Sequence, residues 1–532
     1  MAKICLCLTA STIGRDLAIL EKNRPYIDMV ELRVDCLEPN ERFLIRRFPE
    51  QAGIPVVLTI RRDLEGGNFS EGEGSRIRLL SQGLAFAEAD RRKNFAYIDL
   101  EEDLEVPSLE EAARTFGTRI IRSSHNCRGI DADIPGKLRK LRRVGDELVK
   151  IAVLARGSAD ALALVRAVKE ERGVDKSILC MGPYGIFTRI LAEKLDSQIV
   201  YTNPEEDGRP RAAPDSLCPR DLVDLYRFRC IRADTKVFAV VGYPLAPTRF
   251  PKFFNTVFTL ENTNAVCIPF AADSFEDFMA LAAELNLNGV SVSVPYKEKA
   301  IHYLGSLSDE AERIGACNTI TWGPQGWRGV NTDIQGFSDS LLNFISAHAK
   351  EGGGIRIFGM GKRGPKAVAS LRGKRVTLVG AGGAARAAAA ELYRLRAKVL
   401  VLNRTLVKAR NLALPYKFRW GALDERGINQ MEKFSDIIIQ TTSLGMAGNT
   451  GQDPLELYSF TGKEKVMDLV YEPEQTPLLR RAAAAGCAVL NGYDMLIRQV
   501  RYQYAHFLQR DFPLVLFSRV ALDLFNNPAG VQ

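Results

Sequence analysis

The chain has 532 residues, 46% hydrophobic and 26% charged, with a formal net charge of +8. That length exceeds what one core can serve and implies roughly two to four domains, while no apolar run is long enough to span a membrane. The positive charge is modest and no basic block is interleaved with aromatics, which argues against nucleic acid and suits anionic small molecules.

Met1-Ala2-Lys3 leads straight into the strand-like Ile4–Leu8, without the pattern of a signal peptide. The ten cysteines show no pairing rhythm. Cys5 and Cys7 share one strand face, where thiols pack as small hydrophobes rather than bind metal. Reduced thiols and a cytoplasmic location are the expectation. Further strand-like runs follow at Met29–Val34, Pro55–Ile60, Phe95–Leu100, Thr118–Ser123, Leu148–Val153, Ile178–Met181 and Gln198–Tyr201, with helical stretches between them. Eight strands with crossovers over about two hundred residues predict a (β/α)8 barrel, whose chemistry sits at the strand C-termini. Polar residues gather at those ends: Glu31, Arg33, Arg61, Asp99, Glu101, Ser124, His125 and Lys150, with Arg189 in the loop after the seventh strand.

Two of these stand out. His125 is the only histidine before His302, so it is the candidate for proton transfer near neutral pH. Lys150 lies inside ELVKIAVLA, where alternation puts Leu148, Lys150 and Ala152 on one face. Burial in a barrel lowers a lysine pKa and frees its amine for carbonyl attack. The alternative is a structural ion pair with Glu31 or Glu101.

Asp215–Thr235 reads as the end of the last barrel helix and a short linker. A second αβ lobe opens with the strand Lys236–Val241 and the turn Gly242-Tyr243-Pro244, and Gly289–Pro295 is another strand, ending in Tyr296-Lys297. Ala347–Arg372 is rich in Gly, Lys and Arg and reads as a solvated insertion. It contains a second GxGxxG at Gly359–Gly364, a decoy because Pro365 follows and no acid or Asn-Arg-Thr stands at the right distance. The true nucleotide signal is TLVGAGGAARAAAAEL: the strand Val376–Val379, a turn at Gly380, Gly382 and Gly383, and an Ala-rich helix whose N-terminal amides face a pyrophosphate. The next strand, Lys398–Leu402, ends in Asn403-Arg404-Thr405. The acid of an NAD site is missing there, and an arginine is placed to pair with a 2′-phosphate, so the cofactor is expected to be NADP(H).

ELRVD (Glu31–Asp35), TIRRDLEGG (Thr59–Gly67), YIDLE (Tyr97–Glu101), SSHN (Ser123–Asn126), VKIAV (Val149–Val153) and MGPYG…R (Met181–Arg189) resemble type I 3-dehydroquinate dehydratase. The resemblance covers residues 1–217 and implies a metal-free Schiff-base mechanism. By resemblance Lys150 condenses with the substrate ketone, His125 removes a proton alpha to the imine and helps expel water, and Glu101 orients His125. Glu31, Arg33, Arg61 and Arg189 then hold hydroxyls and the carboxylate. The family's closing Ser-Ala-Pro-Gly-Gln loop reads Arg211-Ala212-Ala213-Pro214-Asp215-Ser216 here, without the glutamine.

VPYK, GACNT, GVNTD, GAGGAAR, NRT and GYDMLIRQ resemble shikimate dehydrogenase over residues 235–525. The resemblance implies Lys297 and Asp333 as the catalytic pair. It places Thr248, Asn318, Thr332, Tyr471 and Gln499 on the substrate, and Gly380, Gly382, Gly383, Asn403, Arg404, Thr405, Gly492 and Met495 on the cofactor, Met495 near the nicotinamide. Where the family has two serines for the substrate carboxylate, this chain has Thr248-Arg249-Phe250, so one hydroxyl is lost and Arg249 is the candidate replacement. Ser291 and Ser293 replace the more usual Asn and Thr before VPYK.

The expected organisation is a barrel at 1–220, a substrate-binding lobe at 235–340, an NADP-binding Rossmann lobe at 373–490 and a C-terminal helical segment at 491–532 returning to the substrate lobe. The implied substrates are 3-dehydroquinate, 3-dehydroshikimate and shikimate, with neither nucleic acid nor membrane as partner. A quinate-type dehydrogenase in the second half is one alternative. A catalytically dead metabolite sensor is another, and it should have lost Lys150, His125, Lys297 or Asp333, which all stand.

Overall fold

The computed structural model describes residues 1–85, 88–143, 146–171, 173–205, 217–244, 250–348, 370–446, 449–513, 515–516 and 520. Thr248 and Arg249, the loop Arg211–Ser216 and residues 349–369 of the expected insertion, with the decoy GxGxxG, lie outside them. The chain divides into two compact units: Met1–Leu245 with Phe254–Leu287, and Ala246–Phe253 with Asn288–Gln532.

In the first unit all eight expected strands form. They are β1 (Lys3–Leu8), β2 (Met29–Arg33), β3 (Val56–Thr59), β4 (Tyr97–Glu101), β5 (Arg119–Asn126), β6 (Leu148–Leu154), β7 (Lys176–Met181) and β8 (Ile199–Thr202). They hydrogen-bond in the order β7-β6-β5-β4-β3-β2-β1-β8. β7 and β8 complete the barrel more sparsely. The Gln198 amide donates to the Lys176 carbonyl at 2.7 Å, and Ser177 Oγ donates to the Ile199 carbonyl at 2.5 Å. Burial on both strand faces explains the apolar runs: inward residues such as Cys5, Cys7, Met29, Val57, Ile121 and Leu148 fill the barrel interior. The two thiols of β1 serve as packing, and burial pushes both well above the usual thiol range.

The same unit holds the parallel pair β9 (Lys236–Gly242) and β10 (Ala265–Ala271), with the helix Phe275–Glu284 after it. The second unit contains β11 (Gly289–Val292), β12 (Ser306–Leu307), β13 (Thr319–Gly323) and β14 (Gly326–Val330), joined as β11-β13-β14-β12. It also contains an all-parallel sheet of β15 (Arg375–Val379), β16 (Lys398–Asn403), β17 (Arg419–Ala422), β18 (Ile437–Gln440), β19 (Lys465–Asp468) and β20 (Ala488–Leu490). Its order, β17-β16-β15-β18-β19-β20, is that of a doubly wound nucleotide-binding sheet, with the crossover reversing at β15. The helix Tyr493–Leu508 packs along the helix Asp333–Ala347, where Arg501 and Tyr502 both donate to Asp339.

Candidate active sites

The C-terminal ends of the barrel strands surround a cavity of about 320 Å³ lined by Glu31, Arg33, Arg61, Glu65, His125, Lys150, Arg189 and Tyr201, among others. Six residues expected from the sequence thus share one cavity: Glu31, Arg33, Arg61, His125, Lys150 and Arg189. Lys150 Nζ donates to Glu31 Oε1 at 3.2 Å and Asp99 Oδ2 at 3.0 Å, and lies 3.8 Å from the centroid of the Tyr201 ring.

Two expectations need correction here. The sequence reading has burial lowering the Lys150 pKa. Burial does act in that direction, but the Asp99 and Glu31 carboxylates outweigh it and hold the ammonium above its ordinary value. The same attraction lets Glu31 and Asp99 stay charged despite burial, both below the usual carboxylate range. The second correction concerns Glu101, expected to orient His125. Its carboxylate instead accepts from Arg61 Nη1 at 2.8 Å and from Arg76, and it does not line the cavity. The β4 pleat aims Glu101 at these two buried guanidiniums, so it holds Arg61 rather than the imidazole.

Among the described residues His125 has no hydrogen-bond partner at Nδ1. Burial, then the positive charges of Arg61 and Lys150, push its pKa well below the ordinary histidine value, so the imidazole is neutral. Arg61 is locked by Asp99, Glu101, Glu65 and Ser123 at 2.8–3.2 Å. Arg33 forms a bidentate pair with Asp35 at 2.9 and 2.8 Å. Sequence reasoning missed Glu65, which lines the cavity. Burial and the neighbouring Glu101 charge push it up to about 7. The available signal was its position four residues after Arg61 in TIRRDLEGG, from where it reaches back to that guanidinium at 3.2 Å.

The second site lies between β13, β14 and the start of the helix Asp333–Ala347. Lys297 Nζ meets Asp333 Oδ2 at 2.6 Å. Asn318 Nδ2 donates to Asp333 Oδ1 at 2.9 Å and Thr332 Oγ1 at 3.0 Å, while its Oδ1 accepts from the Thr332 amide at 2.8 Å. Four expected residues therefore form one network. Gln499 is buried and its backbone passes close to Gly336, but it makes no hydrogen bond to that network. One helical turn further on, Gln503 does. Its Nε2 donates to Ser291 Oγ at 3.1 Å, the Asn318 carbonyl at 3.1 Å and Thr319 Oγ1 at 2.9 Å. Gln503 is the second residue missed. Its signal was the i+4 spacing from Gln499 on one helix face.

The dinucleotide turn stands beside this pair. A Cβ on Gly383 would come within 2.9 Å of Lys297 Cβ, so the helix N-terminus abuts Lys297. Gly380 has φ +110°, and a side chain there would collide with Thr441 Oγ1. Gly382 caps the helix with open space around its Cβ position. Asn403 Nδ2 donates to the Thr405 carbonyl at 3.0 Å, which shapes the turn after β16 and leaves Arg404 exposed. A glycine cradle at a helix N-terminus with an exposed guanidinium at the next strand end fits a 2′-phosphorylated dinucleotide. Gly492 fits tightly under Leu469, where a Cβ would strike the carbonyl, and its amide donates to the Val470 carbonyl at 3.0 Å. Met495 sits in the apolar cluster beneath the sheet, and Tyr471 is half-buried in the loop after β19.

The fold and its two sites define a two-centre α/β enzyme: a lysine-bearing barrel and a dinucleotide-dependent dehydrogenase. The type I 3-dehydroquinase family matches residues 4–232, the shikimate dehydrogenase substrate binding domain residues 240–320, and the shikimate/quinate 5-dehydrogenase family residues 363–446. The bifunctional 3-dehydroquinate dehydratase/shikimate dehydrogenase, chloroplastic, of Arabidopsis thaliana is 28% identical over 525 residues, covering 97% of this chain and 84% of its own. The NADP(+) shikimate dehydrogenase of Caldanaerobacter subterraneus subsp. tengcongensis is 33% identical over 293 residues, covering 53% of this chain and 96% of its own. A solved shikimate 5-dehydrogenase from Thermus thermophilus, in complex with NADP(H) and shikimate, is 25% identical with a TM-score of 0.44, covering 54% of this chain and 99% of its own. The chain belongs to the shikimate dehydrogenase family and carries a type I 3-dehydroquinase domain ahead of that region.

Proposed function

We infer that the chain is a bifunctional enzyme of the shikimate pathway. The barrel dehydrates 3-dehydroquinate to 3-dehydroshikimate, and the C-terminal half reduces 3-dehydroshikimate to shikimate with NADPH. The product of the first centre is the substrate of the second, which gives the fusion its logic. The observation that carries the first reaction is a buried lysine and a histidine in one arginine-lined cavity, Lys150 paired with Glu31 and Asp99.

In the barrel, Lys150 passes a proton to a neighbouring carboxylate as substrate enters, its free amine adds to the ketone carbon, and the proton returns to the oxygen that departs as water. Loss of water leaves a protonated imine, an electron sink that acidifies the adjacent C–H. His125, held neutral, takes that proton as base. The imidazolium then returns it to the departing β-hydroxyl, which leaves as water. Hydrolysis of the imine releases product and restores Lys150. Glu31 and Asp99 hold the ammonium between turnovers, and Arg33, Arg61 and Arg189 attract the substrate carboxylate and hydroxyls.

In the second centre, the Gly380–Gly383 turn and Arg404 would hold NADPH, which when bound would supply a hydride for the carbonyl carbon. Lys297 donates the proton that the carbonyl oxygen gains, and Asp333 keeps that ammonium aimed. Asn318 and Thr332 present polar groups to the substrate hydroxyls. We assign residues 1–220 to the first reaction, and 235–340 with 373–532 to the second. A reducing, cytoplasmic location agrees with ten free thiols, and no helix among the described residues is long and apolar enough to cross a membrane.

A coupled assay tests the whole reading: 3-dehydroquinate and NADPH should yield shikimate. Borohydride added with 3-dehydroquinate should fix an adduct on Lys150 and stop dehydration. An intact-protein mass without that adduct, or a Lys150→Ala variant that still dehydrates at the original rate, would refute the imine.

A further inference from the structure

The short helix Ile186–Ile190 carries Arg189 into the barrel cavity. Five residues cannot hold a helical segment in place by their own hydrogen bonds, so its aim depends on what it packs against. On the barrel side the segment is well tied. Arg189 Nη1 donates to the Cys180 carbonyl at 3.0 Å, and Thr188 Oγ1 accepts from the Cys180 amide at 3.2 Å and donates to the Gly185 carbonyl at 2.8 Å. Two residues along a helix turn a side chain by about 200°, so Phe187 faces away from the cavity that Arg189 enters.

That outward ring is fully buried and packs on Phe270. The two rings stack with centroids 5.1 Å apart and planes 24° apart. Phe270 lies on β10, inside the region matched by the shikimate dehydrogenase substrate binding domain. It is backed in turn by Phe278, edge-on at 5.5 Å. Polar contacts hold the same region of β10 and its following helix against the barrel. Asp273 accepts from the Ser158 amide at 2.8 Å and its hydroxyl at 2.7 Å, and Glu284 pairs with Arg166 at 3.1 Å and Lys169 at 3.0 Å. All these residues belong to the first compact unit.

We propose that Phe270, carried by the dehydrogenase segment, is a positioning residue for the dehydratase reaction: its ring braces Phe187 and so sets the aim of Arg189 into the barrel cavity. This rests on the reading of Arg189 as a ligand of the 3-dehydroquinate carboxylate. Truncating Phe270 opens a void behind Phe187. The helix then settles outward, and the guanidinium on its far side retreats from the substrate.

The test uses the full-length chain and 3-dehydroquinate. Phe270→Ala should raise the dehydratase KM by about tenfold while kcat changes by less than about threefold, because Lys150 and His125 sit on other strands. Phe270→Leu should recover part of the loss. In an Arg189→Ala background, Phe270→Ala should add no further increase in KM, since the group it aims is gone. If Arg189→Ala raises KM but Phe270→Ala does not, the bracing role is refuted and the carboxylate reading survives. If the two effects multiply, Phe270 acts by general loosening and the proposal falls. If Arg189→Ala leaves KM unchanged, the reading of Arg189 fails and takes the proposal with it. Should Phe270→Ala not fold, Phe187→Leu in the same two backgrounds decides by the same criteria.

Discussion

At the scale of single residues, the neighbours of Lys150 decide its protonation state against its burial. Lys150 is almost wholly buried, yet two carboxylates keep it charged. The Glu31 pairing was one alternative the sequence allowed; Asp99 as the second partner was not legible there. Alternation put Lys150 inside the barrel, but only the closed sheet brings Glu31 of β2 and Asp99 of β4 to the same nitrogen. Asp99→Asn should therefore lower the pH at which the Lys150 amine becomes nucleophilic. Mass-spectrometric labelling of Lys150 by an aldehyde against pH measures this, and an unshifted profile would show that Asp99 does not hold the proton there. His125, already neutral, stands as the base. His125→Ala should cost about two to four orders of magnitude in dehydration, with 3-dehydroshikimate reduction unchanged.

Gln503 is the counterpart in the second centre. One buried amide group serves three acceptors around Asn318, which in turn holds Asp333. Gln503→Leu removes the amide from the Ser291 and Thr319 hydroxyls and from the Asn318 carbonyl, which keeps the Val292 amide at 2.8 Å, a loss on the order of 1–3 kcal/mol in hydrogen bonds at the site. The expected result is a fall of about ten- to a hundredfold in dehydrogenase kcat/KM with dehydratase kinetics intact. Loss of both activities together would mean misfolding instead. The motif reading names Gln499 for the substrate and passes over Gln503, because a motif records spacing along the helix and not which turn reaches β11 and β13.

At the scale of elements, the sequence was most readable where one geometry allows one residue type. The eight barrel strands and the first two strands of the nucleotide sheet were visible as apolar runs, since both faces of a parallel sheet are buried. The glycine turn after β15 was visible because its backbone has no alternative. Gly380 adopts φ +110° with Thr441 Oγ1 where a Cβ would stand. Gly380→Ala should abolish NADPH binding and lower stability by roughly 1–3 kcal/mol, read by cofactor titration and by urea unfolding. Arg404, exposed after β16, predicts a different signature. Arg404→Ala should weaken NADPH by about ten- to a hundredfold and leave NADH nearly unaffected, since only the 2′-phosphate contact goes. Elements without such a constraint were not readable: β12, two residues long, and the sparse β7–β8 closure have no pattern of their own.

At the scale of the whole molecule, buried carboxylates pull the pH dependence of stability in opposite directions. Glu31, Asp35 and Asp99 are held below the usual range once Lys150, Arg33 and Arg61 offset their burial. Their contribution is present above the unfolded carboxylate pKa and is lost as pH falls through the folded one. Asp16 is the reverse case. Burial pushes it up to about 7, the Ala10 amide is its one donor at 3.0 Å, and Oδ2 has no partner. The folded state then binds a proton that the unfolded state has already released, so Asp16 costs stability progressively as pH rises from about 4 to 7. The barrel should be most stable in mildly acidic solution, and its loss toward about pH 8 should trace to Asp16 together with Glu65, which burial and Glu101 also push up to about 7. Asp16→Asn keeps an acceptor for Ala10 and removes the titration. Relative to the unsubstituted chain, it should gain on the order of 3–4 kcal/mol between about pH 4 and pH 8, with the difference emerging below about pH 7. Urea unfolding of both proteins at a series of pH values measures it. Parallel stability curves over that range would show that Asp16 is ionised in the folded barrel as it is in the unfolded chain, and that its burial is offset by a charge or donor beyond the Ala10 amide.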